Sequence, residues 1–218
     1  MNIGLHLHDA PEDRFWERLL FALEHGFSTV YIVPAKVLPG VSDENAARRL
    51  DRFLAEQIRC ALKLSGLHCA AVGCGCDPET AGAEAVYRAH MRLARHIGAK
   101  CVCAEIGQST MLPRLAEWAK EEGMTLAVNA DTNALFLPEG VDAMLDVGEG
   151  IVDVSRVSGR VCGIRVPAME TIRGGARLAS LLRLADSRGL PILLKGIREE
   201  NADAVRRWIE ARHTGMSA

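Results

Sequence analysis

No apolar run in this 218-residue sequence exceeds the length of a strand, and charge interrupts the longest ones. A membrane-spanning helix, which needs about 20 apolar residues, is therefore excluded. The chain also lacks an excess of positive charge: 26 Lys and Arg against 28 Asp and Glu leave a net charge of −2. No basic field is available to hold nucleic acid or an anionic membrane. No Gly-x-Gly-x-x-Gly turn follows a strand-like run, which argues against a dinucleotide-binding open sheet. No low-complexity linker or compositional shift divides the chain, so one domain over residues 1–218 is expected. The opening Met1-Asn2-Ile3-Gly4 lacks a basic segment followed by a long apolar stretch, and no signal peptide is expected. Seven cysteines, an odd number, lie in apolar segments rather than in loops. That pattern predicts reduced core thiols and a cytoplasmic location rather than a disulfide framework.

What the sequence does have is a repeated alternation of short apolar runs and longer amphipathic segments. Strand-like runs are expected at Ile3 to His8, Ser28 to Val33, Leu67 to Cys74, Lys100 to Ile106, Thr125 to Asp131, Ala143 to Val147, Val161 to Val166 and Pro191 to Gly196. A helix capped by Asp9 carries Phe15, Trp16, Leu19, Leu20 and Leu23 on one apolar face and ends at Gly26. Ser42 opens a long helix to about Ser65, stopped by Gly66. Asp77-Pro78-Glu79 opens another that ends at Gly98. Further helices are expected over Met111 to Glu122, Ala176 to Ser187 and Glu200 to Arg212, the last burying Val205, Trp208 and Ile209. Only short connections follow the fifth and sixth strands. Eight units of about 27 residues each, with parallel strands joined by right-handed crossovers, predict an α/β (β/α)8 barrel.

Four stretches carry a resemblance. They are Ile3-Gly4-Leu5-His6-Leu7-His8, Tyr87 to Ala99, Leu115 to Val128 with its Ala-Glu-Trp-Ala-Lys-Glu-Glu-Gly core, and Leu145-Asp146-Val147-Gly148. Together they resemble the first strand, the third helix, the fourth helix with strand five, and the sixth-strand motif of the xylose-isomerase-like superfamily of sugar and sugar-phosphate isomerases and epimerases. The resemblance implies a divalent metal at the C-terminal mouth, held by two Glu, an Asp and a His. The matching positions here are Asn129, Asp146, Arg165 and Lys195, so Asp146 alone is retained. Two added cations oppose a divalent metal, and Asn cannot relay protons. No cofactor is therefore expected, and the set His6, His8, Glu105, Asp131 and Asp146 is the alternative cation site.

Period-two alternation places His6 with His8, Cys101 and Cys103 with Glu105, and Asn129 with Asp131. Pointing inward, these residues join Asp146, Glu149, Arg165 and Lys195 at the strand ends where barrel active sites are built. The resemblance implies a His at the place of Glu105, which supports the inward assignment. The candidate catalytic residues are Lys195, Asp146 and Glu105; the candidate substrate-binding residues are His6, His8, Asn129, Asp131, Glu149 and Arg165. Blander readings stand beside each. The two histidines fill barrel layers as readily as they bind substrate. Lys195 suits either a Schiff base or an ion pair with Asp146, and Arg165 either clamps an anion or pairs internally. Helix starts near Gly174-Gly175 offer a further anion site. Cys74, Cys76, Cys101 and Cys103 on neighbouring strands invite a four-cysteine metal reading, against which stands their one-residue spacing. The charge between Arg48 and Arg59 reads as a solvated outer face.

Three functions follow. The leading expectation is an isomerase- or epimerase-like barrel acting on or binding a small polar or anionic carbohydrate-like molecule without the metal mechanism. The others are a non-catalytic ligand- or partner-binding descendant and a metal-independent lyase or aldolase using Lys195. Homodimerisation is implied by the resemblance alone.

Overall fold

The computed structural model describes residues 2–7, 15–105, 109–130, 137–147, 160–173 and 176–213. Eight strands alternate with helices: β1 (Ile3–His6), β2 (Thr29–Ile32), β3 (His68–Cys74), β4 (Cys101–Ala104), β5 (Thr125–Ala130), β6 (Val141–Asp146), β7 (Val161–Pro167) and β8 (Ile192–Lys195). Each pairs in parallel with the next, and β1 pairs with β8 to close the barrel. Closure removes the free edges that an open sheet would present. The expected (β/α)8 barrel is the fold. Strands β5, β6 and β7 follow one another directly in the order of elements. The intervening segments 131–136 and 148–159 lie outside the described residues.

Among the described residues the helices are α1 (Phe15–Glu24), α2 (Pro34–Val37), α3 (Ala46–Arg49), α4 (Arg52–Ser65), α5 (Ala83–Ile97), α6 (Leu112–Glu121), α7 (Ala168–Arg173), α8 (Ala176–Arg188) and α9 (Glu199–His213). None of them is long and apolar enough to cross a membrane. Gly66 and Gly98 end α4 and α5 in the left-handed conformation, as the sequence predicts. The burial of Val205, Trp208 and Ile209 on α9 also matches expectation.

Four local expectations are corrected. The apolar arc of α1 is wider than the strip that fits the wall: Phe15, Leu19 and Ala22 are buried, whereas Trp16, Leu20 and Leu23 are about half exposed. Ala22 is small enough to let the helix settle on that side. The long helix expected from Ser42 is two helices, because Asp51 adopts an extended backbone and its carboxylate accepts the Leu54 N–H, capping α4. Asp77 forms a turn rather than a helix start, its carboxylate accepting the Glu79 N–H, and α5 begins only after Gly82. The short α7, unanticipated from the sequence, directly follows β7.

Two apolar clusters divide the interior. The larger lies between strands and helices; the smaller, with Tyr31, Ala71, Cys101, Cys103, Ala127, Met144 and Leu193, fills the barrel itself. Leu193 lies over its register partner Gly4 on the neighbouring strand, where a Cβ would stand 2.7 Å from its Cδ2. The same division splits the four cysteines, since Cys74 and Cys76 pack in the outer cluster and Cys101 and Cys103 in the inner one. A shared four-cysteine centre is thereby excluded.

Replacing Asp51 by Ala removes the cap at the α3–α4 break. Urea unfolding should register a loss of about 1 kcal/mol.

Candidate functional site

The inner faces of the strands converge at the C-terminal mouth on one guanidinium. Arg165, near the end of β7, is 3% exposed. Its Nη1 lies 2.9 Å from both Glu105 oxygens, and its Nη2 donates to Asp146 Oδ2 at 2.8 Å. Lys195 Nζ donates to the other Asp146 oxygen. Two carboxylates and two cations thus form one neutral network drawn from β6, β7, β8 and the residue following β4. Asp146 and Arg165 are register partners, so this pair is set by strand pairing, whereas Glu105 is reached across the barrel.

Glu105 is held from three sides. The Tyr31 hydroxyl donates to Oε1, Asn129 Nδ2 donates to Oε2 at 2.8 Å, and Arg165 adds the charge. Burial pushes its pKa up, but the Arg165 charge and these hydrogen bonds outweigh it and hold the carboxyl below its ordinary value. Burial pushes the Tyr31 phenol well above its usual range, with the neighbouring Cys103 and Glu105 adding to the rise, so Tyr31 remains a donor. Asn129 is itself oriented by the Cys103 thiol, 3.4 Å from its Oδ1. His6 is fully buried, stacks on Tyr31 with ring centroids 4.5 Å apart, and brings Nε2 to 3.5 Å from Arg165 Nη1. The Tyr31 ring also lies 5.6 Å from the guanidinium carbon.

Strand β3 contributes an absence of side chain. A Cβ on Gly73 would meet the Tyr31 hydroxyl at 2.8 Å and Glu105 Oε1 at 3.0 Å. The Tyr31–Glu105 hydrogen bond thus requires glycine on the neighbouring strand.

Of the residues singled out from the sequence, His6, Glu105, Asn129, Asp146, Arg165 and Lys195 come together here. His8, Asp131 and Glu149, together with Gly174 and Gly175, lie outside the described residues. The sequence left the partner of Asp146 open between Lys195 and Arg165; it has both. Tyr31 was missed, although alternation along β2 puts it on the inner face with Val33. The segment Arg48 to Arg59 is largely exposed or half-buried, except at the buried Leu50, Ala55 and Ile58.

The residues at the implied metal positions do not fit a divalent cation. Both Asp146 oxygens accept from cations, and Asn129 uses its oxygen and nitrogen within the network. A further positive ion would face Arg165 and Lys195 at contact distance.

No protein-family model matches the sequence, and no curated protein does. Solved structures do match. The probable 3-DHS dehydratase AsbF of Bacillus anthracis, involved in petrobactin synthesis, superposes with a TM-score of 0.68 at 10% identity, covering 98% of this chain and 99% of that one. A sugar phosphate isomerase/epimerase of Parabacteroides distasonis gives 0.65 at 10% identity over 96% and 92%. A xylose isomerase domain protein of Planctomyces limnophilus gives 0.64 at 14% identity over 99% and 96%. The fold is that of the xylose-isomerase-like barrels.

Two measurements follow from this geometry. Gly73→Ala forces the Tyr31 hydroxyl and Glu105 apart and should destabilise the fold by about 1–3 kcal/mol in urea unfolding. Glu105, with its folded pKa depressed, contributes stability fully present above its unfolded value of about 4.3 and lost as pH falls toward the folded value. Glu105→Gln should remove that part of the acid dependence. It should also cost on the order of 3 kcal/mol at neutral pH by leaving Arg165 with one carboxylate. Unfolding free energies compared from pH 3 to 7 test both effects.

Proposed function

We propose that the mouth binds a small polar, carbohydrate-like molecule carrying a carbonyl or carboxylate, and that Asp146 and Lys195 move protons on it without a divalent metal. The observation that carries this reading is a division of labour in the network. Arg165 is almost fully buried and committed to two carboxylates, whereas the Asp146 and Lys195 side chains are 25% and 26% exposed. The exposed pair can touch a ligand; the buried members hold it in place. Glu105, 19% exposed and accepting from three donors, is assigned to positioning rather than to proton transfer.

In this reading the Lys195 ammonium donates a hydrogen bond to the substrate oxygen, stabilising charge that develops there. Displaced from Lys195 by the ligand, the Asp146 carboxylate removes the proton from the carbon beside the carbonyl, leaving an enediol or enolate. Return of the proton to the adjacent carbon is isomerisation, and return to the opposite face is epimerisation. Expulsion of a β-hydroxyl as water is elimination. The reactions named for the structural neighbours, isomerase/epimerase and dehydratase, fit this common first step. A Schiff-base role for Lys195 is less favoured, because its Nζ is engaged by the Asp146 carboxylate.

A non-catalytic binding role is the second reading, favoured by the internal neutrality of the network. Exchange of the carbon-bound proton with deuterated solvent, followed by NMR over a panel of sugars, sugar phosphates and sugar acids with a chelator present, separates the two. The expected result is exchange into at least one compound, reduced more than about 100-fold in Asp146→Asn and Lys195→Met. Ligand-induced thermal stabilisation without exchange would establish the binding role instead. Exchange that requires added metal would overturn the mechanism.

A further inference from the structure

We propose that Asp43, Cys74 and His90 form a binding site for a thiophilic divalent cation of the zinc class, outside the barrel wall and separate from the mouth. The three come from different segments: Asp43 from the loop between α2 and α3, Cys74 from the last position of β3, His90 from the middle of α5. One ligating atom from each lies within 4.8 Å of the others. Cys74 and His90 are fully buried, and Asp43 forms the half-buried edge through which an ion would enter.

The independent sign of a ligand is the state of the imidazole. His90 Nδ1 lies 2.9 Å from the Val86 carbonyl one turn earlier on α5. A carbonyl only accepts, so Nδ1 carries the proton and Nε2 presents its lone pair. Among the described residues Nε2 has no hydrogen-bond partner, and neither has Asp43 Oδ1, although both atoms are buried. Two buried acceptors and a thiol in one place, with no donor among the described residues satisfying either acceptor, carry a desolvation cost that a cation removes. A backbone carbonyl fixing one ring nitrogen so that the other ligates is also the usual support of a metal-binding histidine.

The donor set decides the ion. Sulfur, nitrogen and carboxylate oxygen suit Zn2+ and Co2+, whereas Mg2+ and Ca2+ take oxygen shells. Tetrahedral coordination at zinc bond lengths puts neighbouring ligands about 3.5 Å apart, so atoms within 4.8 Å of one another need to close by at most about 1.3 Å. The fourth position falls to water. Bound there, the ion ties a surface loop, a barrel strand and a helix together.

The test is cobalt titration of the purified chain by absorption, with zinc competition and zinc content after dialysis. The expected result is one Co2+ per chain with a sulfur-to-cobalt charge-transfer band and the strong visible bands of tetrahedral coordination, all displaced by Zn2+. Cys74→Ala should abolish the charge-transfer band, and Asp43→Asn should weaken binding more than about tenfold. Cys60→Ser, which removes the exposed thiol, and Asp146→Asn in the mouth should leave both unchanged. If Cys74→Ala fails to fold, the wild-type band and Asp43→Asn decide. No bound cobalt, binding without a sulfur band, or binding insensitive to Asp43→Asn overturns the site.

Discussion

A single guanidinium bridging Glu105 and Asp146 governs the arrangement of the barrel mouth. Burying Arg165 is costly unless both ends of its fork are met by charge, and two carboxylates meet them, one from the adjacent β6 and one from the end of β4. Everything else at the mouth follows from that demand. Glu105 is fixed by Tyr31 and Asn129, and Asn129 is in turn oriented by Cys103. Tyr31 is stacked by His6, and Gly73 stays small so that Tyr31 can approach. Every strand takes part, one of them by leaving space. Lys195 then completes charge balance on the more exposed of the two carboxylates.

Where the resemblance implies a metal, this chain sets the fixed cations Arg165 and Lys195 among its carboxylates. An arginine cannot exchange ligands or polarise a substrate as a metal would, since its donors are committed to fixed partners. It does give permanent rigidity to its neighbours. The Asp146–Lys195 pair keeps the greater exposure, whereas Arg165 is buried among fixed partners.

Much of this was legible in the sequence for a simple reason. Alternating strand and helix runs with glycine stops report local backbone preferences, and those preferences agree with the global fold. That Glu105 shares a face with Cys101 and Cys103, and Asn129 with Asp131, follows from period-two alternation, while the inward direction rests on the resemblance. The Glu105–Arg165 pairing does not, because it joins residues 60 positions apart across the barrel axis. Tyr31 is less legible because strand propensity marks β2 without fixing which face its tyrosine takes. The α1 face was misjudged because helical periodicity offers two adjacent apolar arcs, and the choice between them is made by the wall. The Asp43, Cys74 and His90 cluster was also beyond reach, since its members belong to three elements whose packing no local pattern encodes.

The plug formed by Leu193 has one more effect. Below the charged network lies apolar packing from Leu193, Met144, Ala127, Cys101 and Ala71, with Gly4 yielding room for it. Such a floor has low polarisability and holds no ions, so the network's field is not screened from beneath and is directed outward through the mouth. Lys195 and Asp146, the most exposed members of the network, form an oriented dipole at its outer face.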